Sequence, residues 1–524
     1  MALFDRFDPI RQAERGTGGL RSRYHDKTGV ARHREWRGLR DTAYDYYRWL
    51  CNLGTMLAFV AKAPVRILKA LGRYRWMGSY LSVFSFVDRC LEGYRGPELR
   101  IGQLHLHTII KRVTDQLALM FKGDERFGAN PQSARMVGID ETMPPVFMAG
   151  FPNLIPMPIQ TFPEFLICNM DQHLMPHYID ALEAYGVPGD VCSRCEAEAG
   201  VAIEDDYPIF GKCVITSNMP CDGSIMTSSI QARRFRKPTF PLMMPMRHNE
   251  PEVHEYSQDQ LRGAIRFIEE HTGETYDWGA FYKAARCLNK QNECELIKWD
   301  YFKTPYSPLS GVAQSLYRLF SWASNCGLDP AFAKADERVV QIMAKCYDEK
   351  RLPWGGRTRH RCIIWSTAAV YYTDFPTWLQ NCWGVTVILN MDSTMGFNQI
   401  DTTDADKALR DLALLSEKGT MRHHAVGGYQ NAYMLWEYCE QFQCDLVLFY
   451  DQIACKGMNG VHGLFEDEAR ARNIHFMWVE HDLQDPRTIP RAQMRRQVNE
   501  YMRTVLHEEP LDATLLEFDD SMAW

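Results

Sequence analysis

Short apolar runs, rich in β-branched residues, recur along this chain. Most are followed by turn formers and a stretch of helical period. KCVITS leads into NMPCDG and then SIMTSSIQARRF; TFPLMMPM comes next, and HRCIIWSTA, VTVILNMD, CDLVLFYDQ and IHFMWVEHD follow further on. A strand with little hydrophobic–polar alternation is buried on both faces, which happens when helices cover both sides of a parallel sheet. The pattern therefore implies an α/β chain: two Rossmann-like, flavodoxin-like parallel-sheet lobes joined by a helical layer, behind a mostly helical N-terminal extension.

The segments between these runs suggest the domain limits. LRIGQLHLHTIIKRVTDQLALMFKG has helical period, and DERFGANPQSARMVGIDETMPP concentrates Gly, Pro, Asn and Asp as a boundary does. Residues 1–137 are expected to form the basic helical extension and 138–256 the first α/β domain. A helical connection at 257–351, a second α/β domain at 352–506 and an acidic tail at 507–524 complete the expectation. Ser257 with Gln260 three residues on resembles a capping box and places a helix start there.

Charge narrows the function classes. The whole chain carries a formal net charge of -7, which gives no global case for nucleic acid. Met1–Trp76 alone holds sixteen Lys and Arg against seven Asp and Glu, so an acidic docking partner or a solvated leader are both open for that arm. Spanning a bilayer takes about 18 to 20 apolar residues, and the apolar stretch near Leu50–Val87 is interrupted by Lys62, Arg66, Lys69, Arg73, Arg75 and Pro64. No span and no secretory leader are expected, which points to the cytoplasm.

In a reducing compartment sixteen cysteines are not a disulfide framework. Most, such as Cys439, fall in helical or strand-like contexts that suit packing. Cys221 and Cys455 differ, because each follows a strand directly, where doubly wound sheets bind ligands. Cys192 follows the Pro188–Gly189–Asp190 turn at an expected helix start, with Cys195 as its rival. A CxxC pair also suits zinc or redox chemistry, but no second pair with matching spacing accompanies it. Spacing alone does not choose among these readings.

QFQCDLVLFYDQIACKGMNG, IHFMWVEHDLQDPR and RAQMRRQVNEYM (with Gln493 and Arg496), together with GDVCSRCEAEAG, SNMPCDG and the connection around Thr272–Gly273, resemble the 2-hydroxyacyl-CoA dehydratase and benzoyl-CoA reductase family, the alpha-subunit type of the dehydratases in particular. The likeness runs from about Gly138 to Leu506. Met1 to about Val137 has no counterpart, the loop at Cys221 matches loosely, and Pro144–Phe147 only loosely resembles the family's proline-acid segment.

The resemblance implies a 4Fe-4S cluster held by Cys192, Cys221 and Cys455, with one iron left open to substrate. It implies radical dehydration of a (R)-2-hydroxyacyl-CoA to a 2-enoyl-CoA. It also implies a related second subunit and a separate ATP-hydrolysing iron-sulfur activator, in keeping with the absence of a GxxxxGK phosphate loop from this sequence. Reduction of an aromatic thioester, or a non-catalytic cluster-carrying subunit, are the other roles such a chain takes. For proton transfer the strand end offers Glu480 and His481, with Asp482 and Asp485 beside them, and His423 and His424 form a second candidate pair.

Overall fold

A computed structural model describes residues 39–517 except 92–93, 141–142, 219–220, 246–250 and 418–428. His423 and His424, and the arm before residue 39, lie outside these described residues.

Two four-stranded sheets organise the chain. The first comprises β1 (Met136–Ile139), β2 (Ile155–Pro158), β3 (Cys213–Ser217) and β4 (Thr239–Leu242) in the order β2-β1-β3-β4. The second comprises β5 (His360–Trp365), β6 (Val385–Asn390), β7 (Leu446–Gln452) and β8 (His475–His481) in the order β6-β5-β7-β8. Every pairing in both is parallel. Each lobe thus repeats one topology: its second strand lies on one side of its first and its third on the other. The strand order reverses there, and a crevice opens beyond the carboxyl ends. Continuous burial along β1 and β3 matches the unalternating apolar runs.

β1 falls inside the stretch that composition marks as a boundary, and Met136 and Val137 fall within the expected helical extension. Four residues carry too little pattern to stand out, and Gly138 lacks a side chain where Ile159 and Val214 close in. Ser257 is not a cap either. The helix Pro251–Thr272 begins six residues earlier at a proline, and the Ser257 hydroxyl donates to the Val253 carbonyl inside it. Proline at a first helical position is itself a start signal, and here it outweighs the capping-box pattern.

The N-terminal helices dock on the first lobe. The long helix Gly96–Gly123 is buried on most of its surface, as its all-round apolar sequence requires. Arg66 donates to the Asp124 carbonyl, the Trp76 indole donates to the Asp206 carbonyl, and Arg73, Arg126 and Arg234 gather on Asp205. Part of the basic excess therefore fastens this extension. Among the described residues no single helix is long and apolar enough to cross a membrane; only the pair Leu39–Lys62 and Pro64–Arg73 reaches that length and composition, across a 96° bend.

Between the lobes, Trp278–Phe302 and Pro330–Asp348 enclose a charged triad in which the Lys298 ammonium meets Asp336 at 2.9 Å and also pairs with Glu295. All three are buried. Removing the cation leaves two enclosed carboxyls facing each other, so Lys298→Ala is expected to destabilise the fold by about 3–5 kcal/mol. Denaturant unfolding checks this, and a loss below about 1 kcal/mol would mean that the carboxyls find other partners.

Candidate thiol centre and adjoining cavity

Three of the thiols singled out from the sequence stand at helix starts. Cys192 immediately precedes the helix Ser193–Ile203, Cys221 follows β3 and precedes Asp222–Phe235, and Cys455 follows β7 and precedes the short turn Lys456–Asn459. Cys221 and Cys455 are the same position in two copies of one topology, the strand-to-helix loop after the third strand of each lobe. All three are half-buried, whereas Cys439, expected to be a packing residue, is buried.

The structure brings them together with a fourth. The Cys195 thiol, in the first turn of its helix, shares the space beside Gly223 with the Cys221 sulfur and interacts with both Cys192 and Cys221, and Cys455 lies close enough to feel the charge of both. The Gln452 side-chain amide donates to the Cys192 sulfur at 3.1 Å, which ties the end of β7 to the first lobe. The Ser193 hydroxyl donates to the Asp482 carboxylate, and Lys456 pairs with Asp190 at 2.9 Å. Both lobes therefore meet at the sulfurs.

Helix starts present free N–H groups and the positive end of a dipole, which favour thiolate. Interaction with Cys195, reinforced by the Gly223 and Ser224 backbone N–H groups, draws the Cys221 thiol down to about 6. Cys195 is in turn pushed well above the usual thiol value by its interactions with Cys192 and Cys221, with burial adding to the effect. Burial pushes Cys455 up to about 12. Soft sulfur donors at helix starts are what iron–sulfur clusters bind, and Cys192, Cys221 and Cys455 could hold one, with loss of their protons on binding.

Among the described residues no group of three or more His, Cys, Asp or Glu side chains is arranged around a single metal ion. A four-iron cluster is wider than one ion, so its thiolates stand further apart than zinc ligands do.

Gly223 is needed at this spot. A Cβ there would sit 2.7 Å from the Cys195 sulfur and 3.7 Å from that of Cys221. Gly223→Ala is expected to drive the Cys195 side chain in among the ligand sulfurs, a crowding that truncating Cys195 itself would not cause, and so to weaken iron retention about ten-fold or more under chelator challenge. Retention equal to the wild type would show that the thiols tolerate the displacement.

The acid–base candidates are placed less favourably. Glu480 is exposed, and its backbone N–H bonds the Gln497 side chain. His481 is fully buried against the Tyr450 ring at 4.7 Å, neither ring nitrogen has a hydrogen-bond partner, and burial pushes it down to about 3. Asp482 accepts from the Gln484 and Asp485 backbone N–H groups as well as from Ser193, while Asp485 pairs with Arg487, which also reaches Asp180 across the lobes. These acids clasp the lobes together.

Two polar residues that the sequence did not single out flank this centre. A cavity of about 120 Å³ lies between Val312–Phe320, the loop after β5 and the end of β6, with a mostly apolar lining that includes Leu316, Phe320, Val370 and Val387. Arg194 and Asp392 are the charged residues lining it. Arg194 belongs to the first turn of the helix that carries Cys195, and its charge reaches both Cys221 and Asp392. Burial pushes Asp392 up to about 7 against the pull of Arg194. The available signal was position: Asp392 closes the VTVILNMD run at a carboxyl strand end, the criterion that marks Cys221.

No curated protein matches the chain. Over residues 158–504, more than half its length and including all four clustered thiols, the sequence matches the family described as 2-hydroxyglutaryl-CoA dehydratase, D-component. The chain belongs to that dehydratase family.

Proposed function

We propose that this chain is the iron–sulfur subunit of a 2-hydroxyacyl-CoA dehydratase, holding a 4Fe-4S cluster through Cys192, Cys221 and Cys455. The observation that carries the reading is the meeting of helix-start thiols from both lobes within the family-matched span. When bound, a cluster with three protein ligands supplies single electrons and an iron open as a Lewis acid.

The chemistry explains why such a centre is needed. In a 2-hydroxyacyl thioester the hydroxyl sits on the α-carbon and the β-hydrogen is not acidic, so ordinary elimination is electronically mismatched. One electron added to the thioester carbonyl gives a ketyl radical anion that expels the α-hydroxyl. The β-proton of the resulting radical is then acidic enough to be removed, and the electron is recovered. A separate ATP-hydrolysing activator supplies that electron, and a related second subunit completes the enzyme.

The chain's own residues contribute placement. Gln452 orients the Cys192 sulfur by a hydrogen bond, and the Ser193–Asp482 clasp keeps the lobes closed around the thiols. Glu480, facing solvent, and His481, sealed in the core and neutral, are poorly placed for proton transfer, so that role passes to a residue lining the cavity.

Anaerobically purified protein, combined with activator, ATP, reductant and candidate partner subunits, is expected to convert members of a panel of (R)-2-hydroxyacyl-CoA thioesters to 2-enoyl-CoA. Reduction of an aromatic thioester instead would make it a benzoyl-CoA reductase-like subunit. A full cluster with no thioester consumed would make it a non-catalytic cluster carrier.

A further inference from the structure

We propose that the cavity beside the thiol centre receives an uncharged, apolar acyl chain of the thioester, and that Asp392 at its polar end accepts the β-proton. The inference rests on the dehydratase reading above and adds its substrate class and its base.

The lining argues for the substrate class. Leu316, Phe320, Val370 and Val387 offer hydrocarbon, and about 120 Å³ is of the order of dry cavities that hold benzene, about 150 Å³. A dicarboxylic acyl chain would bring a second carboxylate inside. The cation there to meet it is Arg194, whose field already serves Asp392, Glu198 and Cys221. Burying a carboxylate without its own partner costs several kcal/mol, so a charged acyl tail is disfavoured.

Helix geometry places the chemistry next to that hydrocarbon. In Ser193–Ile203 successive side chains turn by about 100°. Ser193 accordingly reaches Asp482, Arg194 faces the cavity and Cys195 turns to the other sulfurs. One helical turn therefore joins the cavity to the thiols. Asp392 lines the same cavity at the end of β6, held by the short turn Met391–Ser393, with the Asn390 side chain accepting its backbone N–H at 3.0 Å. A half-buried carboxyl poised near neutrality is matched to proton transfer, being able both to take and to give up a proton at working pH.

In the step assigned to it, the β-C–H bond breaks with its electron pair left on the substrate, and an O–H bond forms on Asp392. No oxidant or reductant is consumed beyond the single electron already described.

The test uses anaerobic, cluster-loaded protein with pentanoyl-CoA and glutaryl-CoA, unreactive five-carbon thioesters that differ by a terminal carboxylate. Calorimetry is expected to show pentanoyl-CoA binding at least about ten-fold tighter. Equal affinity, a preference for glutaryl-CoA, or binding of neither overturns the substrate class. Ala368→Phe, which fills the cavity, is expected to weaken pentanoyl-CoA about ten-fold or more with iron unchanged, and unaltered binding overturns the location. Asp392→Asn is expected to keep its iron and its pentanoyl-CoA affinity while turnover of (R)-2-hydroxypentanoyl-CoA falls about 100-fold or more. A smaller fall overturns the role of Asp392. Protein without iron would instead overturn the dehydratase reading, so the two failures are separable.

Discussion

Cys455→Ala, purified without oxygen, is expected to lose most of the about four irons per chain that one cluster of this type brings. Cys455 is the thiol that the second lobe brings to the centre; the other three lie at the start of the helix Ser193–Ile203 and in the loop after β3. Without it, a three-thiolate site becomes one confined to a single lobe. Cys439→Ala is the control, since that thiol is buried among Leu435, Phe442 and Phe449 in the second lobe's core. Iron analysis of the two variants should separate them widely. Equal retention would remove Cys455 from the ligand set.

The second large effect separates Cys192 from Cys195. Both are near Cys221, so proximity does not decide between them, but their settings differ. Cys192 sits at the mouth of a helix, half-buried, with Gln452 donating to its sulfur. Cys195 is buried, and its interactions with Cys192 and Cys221, together with burial, push its thiol well above the usual value, which holds its proton on. Cys192→Ala is therefore expected to lose most of its iron. Cys195→Ala is expected to retain it while shifting the reduction potential, because hydrogen bonds to cluster sulfurs tune that potential. Anaerobic iron analysis with potentiometric titration reads both. Loss of iron from Cys195→Ala with retention in Cys192→Ala would exchange their roles.

Much of this was legible in the sequence for a physical reason. Strands buried on both faces leave unbroken apolar runs, so β3, β5, β6 and β7 stand out, and the rule that ligands sit beyond carboxyl strand ends separates Cys221 and Cys455 from packing thiols. β1 and β2 were missed because four-residue strands carry little periodicity, and β2 contains two prolines, which suit an edge. The Ser257 motif misled because a serine inside a helix can bond back to a carbonyl one turn earlier, as it does to Val253.

The site's outer layer was the least legible. Gln452 reaches Cys192 over a separation of 260 residues, and Asp482 reaches Ser193 over 289. No local pattern encodes such pairings, which exist only once the lobes close. Glu480 and His481 drew attention as titratable groups at a strand end, but alternation along β8 turns one to solvent and seals the other. Asp392 satisfied the same positional rule and lines the cavity.

The central claim is that thiols from two lobes hold one iron–sulfur cluster. Anaerobic iron and sulfide analysis with electron paramagnetic resonance of the reduced protein tests it most directly. The account predicts a brown protein with about four irons per chain and a reduced-cluster signal. A colourless, iron-free anaerobic preparation would contradict it.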